Sequence, residues 1–242
     1  MKNLYKNNYL SSLYLVFLGA VSSFSLPPYN YFIINFFTFS LFFIFLINKN
    51  NLLRRNFNYF KYGWLFGFGY FFASLYWITI ALTFESHLKI LIPIALILIP
   101  SFLAIFYGCA LYIFSLFKKN KNISLALIFS VSFGIFEFIR GNILSGFPWN
   151  LFVFSFSNNL KFIQILSIIG TYSLNIICIS FFLIPAIFIL RKTKSEIFYC
   201  LIFMLIGIFF LIFGNLKINS KNLTTYKKND FLIKIVSSKI DI

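Results

Sequence analysis

The chain has 242 residues, 60% of them hydrophobic and only 11% charged, with a mean hydropathy of +0.90. That balance excludes a soluble globular domain, in which about a quarter of residues are charged. A net charge of +16 would point to nucleic acid in a soluble protein, but its placement between apolar runs argues for membrane topology, and no nucleic-acid partner is expected.

The expected fold is an all-α polytopic membrane protein with about seven transmembrane helices, because each crossing needs roughly 20 apolar residues. The first apolar run, 9–26, follows Lys2 and Lys6 and ends at Pro27-Pro28. Ser23 and Ser25 give the small-x-small pattern of a cleavable signal. A second run, 29–47, follows at once and favours a retained helix, with the diproline as a tight outer hairpin. Lys49, Arg54, Arg55 and Lys61 form a basic loop before the third helix, 62–84. Gly63, Gly67 and Gly69 give that helix a small-xxx-small packing face. It ends in Tyr76-Trp77, where aromatic residues mark the interface with water, followed by Glu85-Ser86-His87.

The fourth run, 88–117, is longer than one straight crossing needs, and Pro93 and Pro100 are expected to kink it or make its first turns interfacial. Lys118, Lys119 and Lys121 precede the fifth helix, 123–144. An aromatic loop without Lys or Arg occupies 145–159, too apolar to sit free in water, and is expected to dip back toward the bilayer. Helices at 160–190, followed by Arg191, Lys192 and Lys194, and at 197–213 complete the bundle. Alternate loops hold nearly all the positive charge, whereas the opposite short loops offer only Lys89 and Lys161. The positive-inside rule therefore places the N-terminus in the cytoplasm and residues 217–242 outside. That segment contains a short β-like run, 231–236, which reads as a linker and the start of a further domain.

The segment 133–154 carries the chemistry. Glu137 and Arg140 lie three residues apart on one face of an apolar helix, and a charge near the bilayer centre costs about 2.5–3.5 kcal/mol. Either the two partner each other, or Arg140 also holds a lipid phosphate or a substrate carboxylate. The helix then breaks at Gly141 to Gly146 and runs into Phe147-Pro148-Trp149. Cys109, Cys178 and Cys200 fall in apolar helices without ligand-like spacing and read as small buried hydrophobes. His87 is the only histidine, so a multi-histidine metal site is excluded; no metal and no cofactor are expected.

These features together resemble the membrane half of apolipoprotein N-acyltransferase. The resemblance rests on Leu26-Pro27-Pro28, on Gly67-Phe68-Gly69-Tyr70 leading to Tyr76-Trp77, and above all on Glu137-Phe138-Ile139-Arg140-Gly141 followed four residues later by Gly146-Phe147-Pro148-Trp149. It implies acyl transfer from a phospholipid donor to the α-amine of a diacylated lipoprotein, at a bacterial inner membrane. It also implies a periplasmic αββα nitrilase-like domain holding a glutamate base, an oxyanion-stabilising lysine and a cysteine nucleophile. None of these three roles falls on a residue of this chain, which is expected to be inactive alone. The residues expected to face lipid are Trp149, Pro148, Phe147, Gly146, Arg140, Glu137 and Trp77. A lipid transporter and a non-catalytic membrane remnant are the alternatives; the lack of a clear internal repeat disfavours the transporter.

Overall fold

A computed structural model describes residues 7–50, 57–117, 121–143 and 146–222. Lys2, Lys6, Arg54, Arg55, Lys118, Lys119, Ser145 and the 231–236 run lie outside the described residues. The described residues are mostly helical and contain no strand.

Helix α1 (Asn8–Ser23) starts where the Asn7 side chain accepts the N–H groups of Tyr9 and Leu10, supplying partners for donors that a helix start leaves unpaired. It stops short of the expected residue 26, because the Pro27-Pro28 pair, joined by a cis peptide bond, removes two N–H donors and Asn30 takes a left-handed φ of 59°. Helix α2 (Ile33–Asn50) then returns. Its buried Asn35 accepts from Ser22 Oγ at 2.6 Å and donates to Ser25 Oγ at 2.8 Å, closing the hairpin with polar groups that have no water to use.

Helix α3 (Phe57–Ser74) lies between α1 and the fourth long helix. A Cβ built on Gly19 of α1 would overlap the Phe66 carbonyl and sit 2.8 Å from Tyr70 N. One built on Gly69 of α3 would overlap the Val16 carbonyl of α1. The two helices thus touch backbone to backbone, the kind of close crossing that drives association where lipid removes the hydrophobic incentive. The third run does not continue as one helix to residue 84: it breaks at Leu75 and bends by 47° into a 3₁₀ helix, Tyr76–Thr83. A second 3₁₀ helix, Ser86–Leu91, carries the exposed His87 and leads into α4 (Ile92–Leu116). Pro93 therefore sits in the first turn of α4, where its missing N–H costs nothing, and only Pro100 lies inside.

After α5 (Asn122–Asn142) a 3₁₀ helix, Phe152–Phe156, precedes two single-turn helices, α6 (Leu160–Ile163) and α7 (Leu166–Ile169). The expected single helix over 160–190 is interrupted at Gly170, whose φ of +75° no α-helix accommodates. Helices α8 (Thr171–Phe182) and α9 (Ile184–Ile189) follow as one span, and α10 (Lys194–Asn222) ends the described chain. Glu196 caps α10: its carboxylate accepts from the N–H groups of Lys192 and Thr193 and from Asn122 Nδ2, tying the start of α10 to the start of α5.

Among the described residues, four helical stretches are long and apolar enough to cross a membrane: Ser86–Leu116, Asn122–Asn142, Thr171–Ile189 and Lys194–Ser220. The bent pair Phe57–Ser74 and Tyr76–Thr83 makes a fifth if it is one span. The expected count of seven is not reached by length and composition, since α1 has 16 residues and the apolar part of α2 is Ile33–Lys49.

Phe39 of α2 sits at the middle of the core, its ring 4.7 Å from Phe152 and within edge or tilted contact of Phe66, Phe129, Phe133 and Phe182. Such pairs contribute about 0.5–1.5 kcal/mol each beyond area burial. The glycine crossing generates a direct test. Gly69→Val, which must displace the Val16 backbone, is expected to destabilise the fold by about 1–3 kcal/mol, the scale of overpacking, and so to lower the thermal midpoint of the purified protein in detergent. Gly207→Val, whose nearest new contact is Phe181 at 3.8 Å, should leave the midpoint unchanged.

Candidate functional site

On α5, the helical repeat turns Glu137 and Arg140 inward together, and both are almost completely buried. Glu137 Oε1 accepts from the Tyr107 hydroxyl of α4 at 2.5 Å. Glu137 Oε2 accepts from Arg140 Nε at 3.2 Å and also from Nη2. The guanidinium lies 5.1 Å from the Phe71 ring centroid, an aromatic face that favours a cation. The carboxylate is thus partnered on both oxygens, the condition under which a buried ion pair is tolerated.

Arg140 also builds the loop that follows. Its Nη1 donates to the Phe147 carbonyl at 2.7 Å, and its own backbone carbonyl accepts from the Phe147 N–H at 3.1 Å. One residue therefore holds both polar groups of one peptide position after the helix has ended. The chain reaches that position through Gly146, at φ +74°, where a Cβ would stand 2.5 Å from the Gly141 carbonyl. Beyond Pro148, a second anchor repeats the pattern. Asn150 donates to Ser74 Oγ at 2.6 Å, and its carbonyl accepts from the Tyr70 hydroxyl at 2.8 Å. Trp149 stands between the two anchors, 58% exposed, with its ring 6.0 Å from that of Trp77.

The loop separates two cavities. On one side is a cleft of about 640 Å³, walled by Leu26, Pro27, Pro28 and Tyr29 of the hairpin, by Tyr76 and Trp77 of the bend, and by Pro148, Trp149 and Asn150. On the other is a cavity of about 320 Å³ against α4, reached by Arg140, Gly146 and Phe147. Of the residues expected to face lipid, Trp77, Pro148 and Trp149 therefore line the large cleft, whereas Arg140, Gly146 and Phe147 line the small one. Glu137 lines neither and acts on Arg140. Reading the sequence missed Tyr107, Ser74 and Asn150. Tyr70 was signalled only as part of the family resemblance, and nothing local marks Tyr107 among 14 tyrosines.

Among the described residues, no thiol has the surroundings of a nucleophile. Cys178 is buried, Cys200 is buried with Sγ 3.7 Å from the Ile184 carbonyl, and Cys109 is half-buried on α4. Among the described residues none is hydrogen-bonded to a base, the usual route to a thiolate.

Residues 18–184, which contain the ion pair, the loop, Trp77 and Trp149, match the apolipoprotein N-acyltransferase N-terminal domain. The chain belongs to that family. An apolipoprotein N-acyltransferase of Rhizobium etli (strain CIAT 652) is 33% identical over 188 residues, covering 75% of this chain and 35% of the relative. The apolipoprotein N-acyltransferase of Rickettsia prowazekii (strain Madrid E) is 37% identical over 174 residues, covering 71% and 33%. That of Rhodopseudomonas palustris (strain ATCC BAA-98 / CGA009) is 30% identical over 205 residues, covering 83% and 38%. The chain thus spans about a third of the length of these relatives. The apolar helices and the family agree on a bacterial membrane protein.

Within this family member, the ion pair makes a signed prediction. Arg140→Met strands a buried carboxylate and should cost about 3–5 kcal/mol, whereas Glu137→Leu combined with Arg140→Met removes both charges and should recover a large part of that loss. Tyr107→Phe, which takes one donor from the carboxylate, should cost about 1–3 kcal/mol. Thermal unfolding of the purified variants in one detergent ranks the three.

Proposed function

We propose that this chain is the membrane portion of an apolipoprotein N-acyltransferase and that its large cleft seats the acyl chains of the lipid substrates. The reaction is acyl transfer from a phospholipid to the α-amine of the diacylglyceryl-cysteine of a lipoprotein, by way of a cysteine thioester. The observation that carries this reading is the cleft of about 640 Å³ between the diproline hairpin and the Trp77/Trp149 pair, walled largely by hydrocarbon. A cavity of this size falls in the range that buries small molecules, with a few polar groups to orient them. Here those groups are Ser23, Ser74, Asn150 and Ser157. Arg140 and Glu137 hold the loop that carries Trp149, and Gly146 and Pro148 fix its path.

The catalytic glutamate, lysine and cysteine belong, on this reading, to a nitrilase-like αββα domain that residues 217–242 lead into. The inner membrane is the expected location, with the N-terminus cytoplasmic and the loop 145–159 facing outward; the alternation of basic loops supports that orientation. The buried state of Cys178 and Cys200 supports the view that these residues alone do not turn over.

Two measurements test the reading. Purified chain incubated with radiolabelled phospholipid should form no acyl-thioester, and a labelled thioester at any of its three cysteines overturns the assignment of the nucleophile. A chimaera should also be made in which this chain replaces the matching part of the Rickettsia prowazekii relative. In it, Trp149→Ala is expected to slow lipoprotein triacylation about tenfold, equivalent to about 1.4 kcal/mol; an unchanged rate overturns the role of the cleft. The orientation is tested separately: Asn158→Cys, at an exposed position, should react with a membrane-impermeant maleimide added to intact cells. Protection there, with labelling only after lysis, reverses the topology.

A further inference from the structure

Helices α8 and α9 meet at Leu183, and a side chain from another helix takes up the hydrogen bond that this break displaces. Pro185, in the first turn of α9, has no N–H for the Phe181 carbonyl and interrupts the ladder. In an unbroken helix the Ala186 N–H would donate to the Phe182 carbonyl. Here it donates to Ser40 Oγ of α2 at 3.0 Å, and the Ser40 hydroxyl donates to the Phe182 carbonyl at 3.0 Å. One hydroxyl from α2 thus stands in for a rung of its neighbour, the insertion that accompanies helix breaks elsewhere. Ser40, Phe182 and Ala186 are all buried, so the hydroxyl is shielded from competition by water.

Two contacts couple the break to the large cleft. The Phe182 ring stacks on Phe156 of the 3₁₀ helix Phe152–Phe156, with centroids 5.8 Å apart and planes within 3°. Two turns earlier on the same face of α8, the buried Asn175 accepts the Val153 N–H through Oδ1 at 2.9 Å. Its Nδ2 has no acceptor among the described residues, so the bond to Val153 is what offsets the burial of this amide. Between Val153 and Phe156 lies Phe154, which walls the large cleft together with Ser157. The 3₁₀ helix therefore rests on α8 while it presents Phe154 to the cleft.

We infer that Ser40 is a positioning residue: its hydroxyl holds the α8–α9 break open and, through Phe182 and Asn175, the break sets where Phe154 and Ser157 stand in the large cleft. That this placement matters to turnover rests on the acyltransferase reading; that Ser40 holds the break does not. Without the hydroxyl, the Phe182 carbonyl and the Ala186 N–H are left to close on each other, and Pro185 opposes that closure. Removing the proline as well lets α8 and α9 run on as one helix. Such a helix regains its hydrogen bonds but carries the 3₁₀ helix to a new place, so stability and activity part company.

The experiment compares the parent chain, Ser40→Ala, and Ser40→Ala combined with Pro185→Ala, each purified in one detergent. Ser40→Ala should lower the thermal midpoint by about 3 °C, the scale of a lost hydrogen-bonded group in a chain of this size, and adding Pro185→Ala should recover most of that shift. Spin labels at Ser173→Cys and Ile189→Cys, both exposed, in a Cys109→Ala background, report the path of α8 and α9 by pulsed dipolar spectroscopy. The parent should give one narrow distance and the double variant a longer one. An unchanged distance in the double variant, or a midpoint that Ser40→Ala leaves unmoved, overturns the role of Ser40 in the break. In the chimaera with the Rickettsia prowazekii relative, the double variant should triacylate severalfold more slowly than the parent chimaera despite its recovered midpoint. A rate that recovers along with the midpoint makes Ser40 a packing residue only and overturns the positioning role. A parent chimaera that does not triacylate counts against the acyltransferase reading alone, and the distance measurement then decides whether Ser40 holds the break.

Discussion

The hydrogen bond from Arg140 to the Phe147 carbonyl is the interaction on which the loop and the cleft beside it depend. It is available only because Glu137 neutralises the guanidinium from within the same helix, and Glu137 is tolerated only because Tyr107 of α4 occupies its other oxygen. Removing a link leaves a charge or a dipole without a partner in a setting that has no water. The chain of contacts runs from α4 through α5 to the loop, so the position of an irregular segment is set by two membrane helices.

A loop packed against apolar helices has to account for its own backbone polar groups. Here the accounting is local. Phe147 gives its N–H and its carbonyl to Arg140, and Asn150 gives its carbonyl to Tyr70 and its side chain to Ser74. Pro148, between them, has no N–H to satisfy. The sequence Gly-Phe-Pro-Trp-Asn thus reads as a solution to a solvation problem: a glycine for the left-handed turn, a proline with no donor, an asparagine that anchors the far end. The exposed tryptophan is what this arrangement holds in place.

How much of this was legible beforehand differs by scale. The pairing of Glu137 with Arg140 follows from an i,i+3 spacing in an apolar helix, and the diproline hairpin follows from two prolines between apolar runs. Both are local, and both are present. The third member of the network, Tyr107, is thirty residues from Glu137, and no spacing rule links a tyrosine on one helix to an acid on the next. Continuity of hydropathy misled in two places. The run 62–84 looks unbroken, yet bends at Leu75; the run 160–190 looks unbroken, yet Gly170 takes a positive φ inside it. Hydropathy reports what a segment can be buried in, not whether its backbone stays helical. The division of the lipid-facing residues between two cavities is likewise a property of the turn, since consecutive residues Phe147 and Pro148 point to opposite sides.

The walls of the large cleft come from distant parts of the chain: Leu26 to Tyr29 on one side, Pro148 to Asn150 on the other, with Trp77 between. During synthesis, at about 5–20 residues per second, roughly 120 residues must follow the hairpin before its facing wall exists, a delay on the order of ten seconds. Over that interval the hairpin, already closed by Asn35, waits with its apolar surface against lipid or an insertion factor. Biogenesis of this protein is therefore a matter of keeping an early half-site intact until its counterpart is inserted.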